Sequence, residues 1–344
     1  MAGANSQIQV TELDFNKIKD NLKTYLQSQD VLKDYNYEGS AISTLLDILA
    51  YNTQYNAYYL NMVANELFLD TALQRASVVS HAKELNYTPK SVIAPTAFIN
   101  LTVNQVADSS LTVPKFTNFM SEAIDGINYN FVTIDSTAVN VTGNTATFNS
   151  LELKQGIPVT IRYTVDSITN PNYTFEIPDN NVDTTSLKVT IQNSVSDSTQ
   201  TTYTLSTNYL SLTGDSEVYF LQENVKGNFE VYFGNGVLGK ELTNGNIVIL
   251  SYIITQGSSA AGANNFVLMD TISGYSNTSV QGVISASQGS SKESISSIKF
   301  QAPKSYAAQN RAVTKEDYIT AIQQNNLGYS FDEIGRAHVW TPVT

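Results

Sequence analysis

Three glycines, Gly234, Gly236 and Gly239, spell G-x-G-x-x-G. In nucleotide-binding proteins that spacing lets a backbone turn approach a pyrophosphate at the N-terminus of a helix. The chemistry needs the helix, and none follows. Lys240–Asn246 comes next, with a further glycine at Gly245, and then the apolar run Ile247–Ile254, which reads as a strand. The motif is therefore a strand reversal, and no cofactor is assigned to it. His81 stands among Lys and Glu residues, the setting of a satisfied imidazole more than of a general base. Glu66 and Asp70 are spaced i, i+4, which a solvated helix face explains; paired catalytic carboxylates need a cleft, and spacing alone does not supply one. Arg311 reads as an anchor forming charge-assisted hydrogen bonds.

The chain has no cysteine, which removes disulfides and thiolate chemistry. It contains no H-E-x-x-H, Walker or G-x-S-x-G motif either. No catalytic residue, metal ligand or cofactor is expected, and the chain is read as a non-enzyme. The remaining enzymatic alternative is a carboxylate-based glycosidase, which two acids about 5–9.5 Å apart across an aromatic cleft would mark.

Composition narrows the classes further. At 344 residues and 42% hydrophobic, the chain has room for two or three domains with substantial cores. The net charge is −12, with the acidic excess between Thr96 and Phe300, and nucleic-acid binding needs the opposite sign. No window approaches the ~20 apolar residues of a membrane helix, and the N-terminus lacks a secretory pattern. Assembly in a reducing host cytoplasm, without membrane insertion, is the expectation.

The elements that position these residues fall into two kinds. Asp14–Gln29 predicts a helix capped by Asp14, with Phe15, Ile18, Leu22, Tyr25 and Leu26 at helical spacing. Ala41–Leu69 predicts a long helix behind Ser40, and Thr71–Leu85 a third. The long helix carries two apolar stripes: Ile42, Leu45, Leu46 and Leu49; and Ile48, Tyr51, Tyr55, Tyr58, Tyr59, Met62, Val63 and Leu67. One packing partner needs one stripe, so two imply contacts on several sides, as in a bundle or in a helix buried within a large domain. Tyr51, Tyr55, Tyr58, Tyr59 and Met62 are the interface candidates, because tyrosine joins a large apolar area to a polar tip.

After Pro95 the composition turns to short alternating runs rich in Thr, Val, Ile and Asn. Phe98–Val103, Leu111–Val113, Asn130–Thr133, Val139–Thr142, Ala146–Ser150 and Val159–Val165 read as strands of one β domain. Tyr173–Ile177, Leu187–Gln192 and Tyr203–Leu205 open a second unit, with Ser194–Thr202 as a polar loop or hairpin tip. Glu217–Gln222 and Asn228–Phe233 alternate as half-buried strands, and Ile247–Ile254 reads as a strand covered on both faces.

Phe233-Gly234-Asn235-Gly236, with Gly239, Gly245-Asn246, Val248, Tyr252 and Gly257, resembles the core of the baseplate J-like family of contractile-tailed phages. Within that family it is most similar to the wedge subunits of T-even-type myophages. The family usually shows Asp where this chain has Asn235; a turn tolerates the exchange, since both types enter the left-handed region readily. Leu67–Ser91 resembles the same family. So does Ile298–Tyr318, through Ala302-Pro303, the run Gln309-Asn310-Arg311-Ala312-Val313-Thr314, and Asp317-Tyr318. In the last of these Thr314 is placed to cap a helix with Asp317 at its third position. Ile334–Thr344 changes character abruptly and reads as the translation of a sequencing adapter, with the natural chain continuing beyond.

The expected fold is α+β and multidomain: an N-terminal helical segment (1–95), mainly antiparallel β domains (96–172 and 173–265), then a mixed segment (266–333) with a further helix near residue 314, before the non-native 334–344. The resemblance implies a structural subunit of the virion's tail baseplate. Its partners would be other baseplate wedge proteins and copies of itself, linking wedges around the hub and relaying rearrangement to sheath contraction. The Thr- and Asn-rich strands leave a receptor-binding adhesin as the alternative.

Overall fold

The computed structural model describes residues 11, 13–29, 39–207 and 212–308. These form two units: a helical one drawn from the chain up to Tyr87 plus Ile295–Tyr306, and a β unit over Thr88–Ser294.

In the helical unit α1 (Phe15–Gln27) is capped as its sequence requires: the Asp14 carboxylate accepts from the N–H of Asn16 and Lys17. Ser40 caps α2 (Ala41–Glu66) through Ser43 N–H at 3.1 Å. At 26 residues α2 is about 39 Å long, and it stops three residues short of the predicted Leu69. There Ala72 N–H bonds Phe68 O, and the Thr71 hydroxyl takes Asn65 O, the carbonyl a continuing helix would have used. α3 (Arg75–Glu84) accordingly starts later than predicted.

The helix α4 (Ile295–Ala308) was not legible in the sequence, because Pro303 lies inside it and proline forfeits an intrahelical bond. Burial carries the helix past that cost. Ile295, Ile298 and Ala302 form its inner stripe and pack with Ala72, Val78, Val79, Ala82 and Tyr87. The helix expected near residue 314 lies outside the described residues, as do Gln309, Asn310, Arg311, Asp317, Tyr318 and the segment 334–344.

The β unit contains two cores. The first belongs to a six-stranded sheet built on β1 (Thr96–Asn104), with β3 (Asn118–Ser121), β4 (Asn130–Thr133) and β6 (Thr145–Gln155). β2 (Ser110–Val113) and β5 (Thr137–Asn140) form a separate ribbon, so β5 ends two residues before the predicted Thr142. Thr142 and Thr145 instead exchange backbone bonds across a Gly143-Asn144 turn with both φ positive.

The second sheet runs β7 (Ile157–Thr164), β13 (Ile247–Ile254), β9 (Val182–Gln192), β10 (Gln200–Leu205), β11 (Val218–Glu223), β12 (Phe229–Phe233), β8 (Thr174–Glu176), with only β10 and β11 parallel. β13 pairs on both sides and is buried on both faces, as its unbroken apolar run predicts. β14 (Phe266–Leu268) and β15 (Thr278–Ser287) then return to the two edges of the first sheet. They close over a core of Ile99, Leu101, Phe119, Phe131 and Phe148, with the Phe131 and Phe266 rings edge to face at 4.9 Å.

Strand β7 reads with the first β group in sequence, yet it pairs with β13. The crossing happens at Gly156, whose φ is +148° and whose missing Cβ would lie 2.1 Å from Ile253 Cγ2 and 2.6 Å from Ile254 O. Only glycine turns that corner.

The polar segment between β9 and β10 is a hairpin tip organised by Asp197. The Asn193 side-chain amide, the Thr199 N–H and the Thr199 hydroxyl all donate to its carboxylate, which they hold down at about 2. A depressed folded value means the tip's carboxylate bonds are fully present above the ordinary value near 3.8 and are lost as pH falls through about 2. A carboxyl carbon titration by NMR should therefore give Asp197 a midpoint near 2, with Thr199 N–H moving in step; a midpoint near 4 would mean the tip is not formed.

Two chain segments bring the β unit to its boundaries, and they are paired with each other. Ile93 and Ser290 exchange backbone bonds at 3.0 and 3.1 Å; Lys90 N–H bonds the Glu293 carboxylate at 2.9 Å, and Glu293 N–H bonds Lys90 O. The strap is held on the second sheet by Lys292. Its ammonium lies 2.9 Å from Glu223 Oε1, donates to Gly227 O and stands 5.3 Å from the Phe229 ring centre.

Candidate assembly surface

The face of α2 that meets α1 is made of small and polar residues, a reversal of what the sequence suggests. Ser43, Leu46, Ala50, Ala57, Asn61 and Asn65 are buried. Asn61 bonds Thr11 through both its carbonyl and its amide, Gln54 Nε2 donates to Leu13 O at 2.9 Å, and Lys19 pairs with Asp47 at 2.5 Å. Short side chains at 50 and 57 allow close approach, and the amides satisfy the backbone of the incoming segment. A groove of about 490 Å3 remains between the two helices, lined by Ile18, Leu22, Ala57 and Leu60 among others.

The two predicted stripes are thus corrected to one. Leu46 turns inward, while Leu45 and Leu49 join the tyrosine-bearing stripe on a single exposed face. Tyr51, Tyr55, Tyr58, Tyr59 and Met62 all lie on it, their exposure running from 37% at Met62 to 63% at Tyr51. The tyrosines form a continuous ridge. The Tyr51 and Tyr55 rings stack at 6.2 Å, those of Tyr55 and Tyr59 meet edge to face at 4.7 Å, and those of Tyr58 and Tyr59 at 6.0 Å. Tyr55 and Tyr59 hydroxyls are 2.7 Å apart, and that hydrogen bond, then the charge of Tyr59 and burial, push the Tyr55 phenol above its ordinary pKa. Leu67, Phe68 and Leu73 extend the exposed apolar surface past the end of the helix. A surface of this size on one helix is large for a monomer.

The residues that looked capable of chemistry are occupied in holding the fold. Glu66, read from sequence as solvated, accepts from Leu73 N–H at 2.9 Å and Gln74 N–H at 3.2 Å and so closes the start of α3. Burial pushes its carboxyl up, but those N–H groups, the Ser77 hydroxyl and Lys299 outweigh it and hold it below the usual range. His81 Nε2 sits 2.9 Å from Glu66 O, across from the same helix end. Asp70 contributes its carbonyl to Lys299. Among the described residues no three His, Cys, Asp or Glu side chains converge as a metal site, and no helix is long and apolar enough to cross a membrane.

The G-x-G-x-x-G loop is a stitched turn. Phe233 ends β12 in the core, edge to face with Phe175 and Tyr203. Gly236 N–H bonds Gly239 O, and Gly239 N–H bonds Thr213 O, both at 3.0 Å; Gly234 lies against the Gly239 backbone. Asn235 does not enter the left-handed region, contrary to the sequence argument for it. Its side-chain oxygen accepts from Val237 and Leu238 N–H at 3.1 Å, a bond an Asp carboxylate would make as well. Gly245 has φ +89°, and Asn246 reaches Asn193 O at 2.8 Å to tie two loops together.

Among the described residues, then, α2 leaves an apolar face open and the residues that could do chemistry are bonded within the fold. Residues 14–87 match the family model described as baseplate wedge protein gp6-like, helical domain, and residues 160–256 match bacteriophage baseplate wedge protein gp6, third domain. Two separate stretches of the chain thus resemble domains of gp6-like baseplate wedge proteins. The first ends at Tyr87, where the N-terminal stretch of the helical unit ends, and the second encompasses the strands from β8 to β13. The chain is 29% identical over 335 residues to baseplate wedge protein gp6 of Enterobacteria phage T4, an alignment covering 90% of this chain and 49% of that protein. It thus spans about half the length of the curated relative it matches. Among solved structures, a chain of the cryo-EM structure of the anti-feeding prophage baseplate, six-fold symmetrised, superposes with a TM-score of 0.31 and 13% identity, covering 89% of this chain and 56% of its own. At that score the likeness is recorded and nothing below rests on it.

Proposed function

We propose that this chain is a structural subunit of a contractile phage tail baseplate, working in the virion as a wedge component and performing no bond chemistry. The exposed face of α2 is the surface by which it packs on helices of neighbouring wedge subunits, its own copies included. Through such contacts it links wedges around the hub and passes baseplate rearrangement on to sheath contraction, a change of packing between bistable interfaces. One observation carries the reading: the largest apolar side chains of the longest helix face outward while small residues fill its inner face. The gp6-like domain matches support it, and the acidic β unit gives no footing for nucleic acid.

Light scattering on the purified chain, alone and with other wedge proteins, tests it against Tyr55→Ala/Tyr59→Ala. Wild-type complexes should fall to monomer in the variant, with far-UV helical content retained because both side chains are exposed. A wild-type monomer that no wedge protein shifts in mass would remove the placement and restore the adhesin reading.

A further inference from the structure

We infer that the free edge of β7 takes up an extended strand of another protein, one that alternates apolar with acidic residues, and so lengthens the second sheet. The surface belongs to the β unit, and the α2 face plays no part in it. Val165 N–H bonds Asn246 O and Gly245 N–H bonds Val165 O, so Val165 turns its backbone toward the β13 side. From Thr164 back to Ile157 the register with β13 runs without a shift. Backbone groups alternate sides along a strand. Ile157, Val159, Ile161 and Tyr163 therefore bond β13, while Pro158, Thr160, Arg162 and Thr164 point away from it. Gly156 shares the outward side, and its N–H is taken by Asn130 O of β4 at 2.9 Å. Beyond that bond the edge is open: among the described residues no backbone N–H or C=O of Thr160, Arg162 or Thr164 has a partner.

The side chains say what the added strand must carry. On the core side Val159, Ile161 and Tyr163 pack against the core of this sheet yet stay half-buried, so apolar residues at alternate positions would complete their cover. On the opposite side Thr160, Arg162 and Thr164 are exposed. The Thr160 hydroxyl lies 3.0 Å from that of Ser251, and Lys188 is the β9 partner of Ser251, which puts it on this same side. Among the described residues neither Arg162 nor Lys188 forms an ion pair, in a chain of net charge −12. Carboxylates at the intervening positions of the new strand complement them. Proline and charge on an edge strand also keep copies of a chain from pairing edge to edge. Here they exclude a second β7, which would bring its own Arg162 into the pair, and still admit an acidic strand, because Pro158 removes a donor only at the end of the open stretch.

The probe is the blocked peptide Thr-Val-Glu-Ile-Glu-Val-Thr, read by amide hydrogen exchange of the purified chain. At a peptide concentration about ten times its Kd, the amides of Thr160, Arg162 and Thr164 should gain about tenfold protection. Those of Ile161 and Tyr163, already held by β13, should not change. The same peptide with Lys for both Glu should bind about tenfold more weakly, and Arg162→Glu should reverse that preference. Arg162→Pro removes an outward N–H that β13 does not use, a place where edge strands tolerate proline. It should abolish binding while Ile161 and Tyr163 keep their protection. No protection from millimolar acidic peptide, or equal binding of the Glu and Lys peptides, would overturn the inference. So would edge amides that become protected in the chain alone as its own concentration rises, which would give the edge to a second copy. Each of these results leaves the reading of α2 untouched.

Discussion

Gly234→Ala is expected to lower the melting temperature of the β unit by roughly 6–12 °C, taking a cost of about 3 kcal/mol and the usual 2–4 °C per kcal/mol for a unit of this size. An alanine Cβ would stand 2.3 Å from both the carbonyl carbon and oxygen of Gly239 and 2.5 Å from its Cα. Real Cβ contacts do not approach so closely, and every obstructing atom is backbone. Relief would require the loop to open. Opening breaks the bonds of Gly236 N–H to Gly239 O, Gly239 N–H to Thr213 O and Lys240 N–H to Ser216 O, all between 2.9 and 3.0 Å. It would also disturb Phe233, which is buried one residue away. Gly236→Ala provides the comparison. Its φ is +79°, but its nearest obstruction is a Glu241 carboxylate oxygen at 3.4 Å, which can move aside, so only the left-handed backbone penalty of about 1–2 kcal/mol remains. Thermal melts of the two variants side by side check the ordering. Equal small shifts would mean that the strand reversal is looser than this crossing of backbones.

The same comparison bears on what the sequence made legible. Where local chemistry decides, reading the residues worked: Asp14 and Ser40 cap their helices, and the apolar run at Ile247–Ile254 is a central strand because neither face meets water. The dinucleotide spacing opens no helix: Lys240–Asn246 runs as a loop into β13. What sequence did not reveal depends on partners distant in the chain. Pro303 argued against α4, and only packing of Ile298 and Ala302 on α3 overrides it. β7 changes sheets at a glycine whose neighbour, Ile253, is nearly a hundred residues away. The largest surprise lies on α2. Apolar periodicity locates a face that avoids water, but it does not say whether the chain itself or a neighbour covers it. Ala50 and Ala57 carry the intramolecular signal, and small residues make a faint stripe beside the tyrosine- and leucine-sized ones. The tyrosines read as interface candidates because their size and polar tips suit a contact that must also survive exposure.

Lys292→Ala should cost the β unit about 3–5 kcal/mol, the range for removing one partner of a buried ion pair. Glu223 is wholly enclosed and Lys292 nearly so, with side-chain exposures of 0% and 21%. Without the ammonium, the enclosed carboxylate on β11 loses its 2.9 Å ion pair. The double replacement Glu223→Leu/Lys292→Met should be far milder, close to neutral, because it removes the buried charge together with its partner and fills the space with apolar atoms. Denaturant unfolding of the single and double variants measures the difference directly. Hydrogen exchange locates it: in Lys292→Ala the amides of Ile93, Ser290 and Glu293, which zip the strap together, should lose protection before those of β13. If Lys292→Ala instead unfolds within about 1 kcal/mol of the parent, then water reaches Glu223 and the strap is held by its other bonds, among them those between Ser91 and Thr184. A large loss in the single variant with recovery in the double would establish that the ion pair fastens the strap while contributing little net stability of its own. The strap includes the residues through which the chain enters and leaves the β unit. A pair of this kind fixes the position of the strap at little net gain in stability.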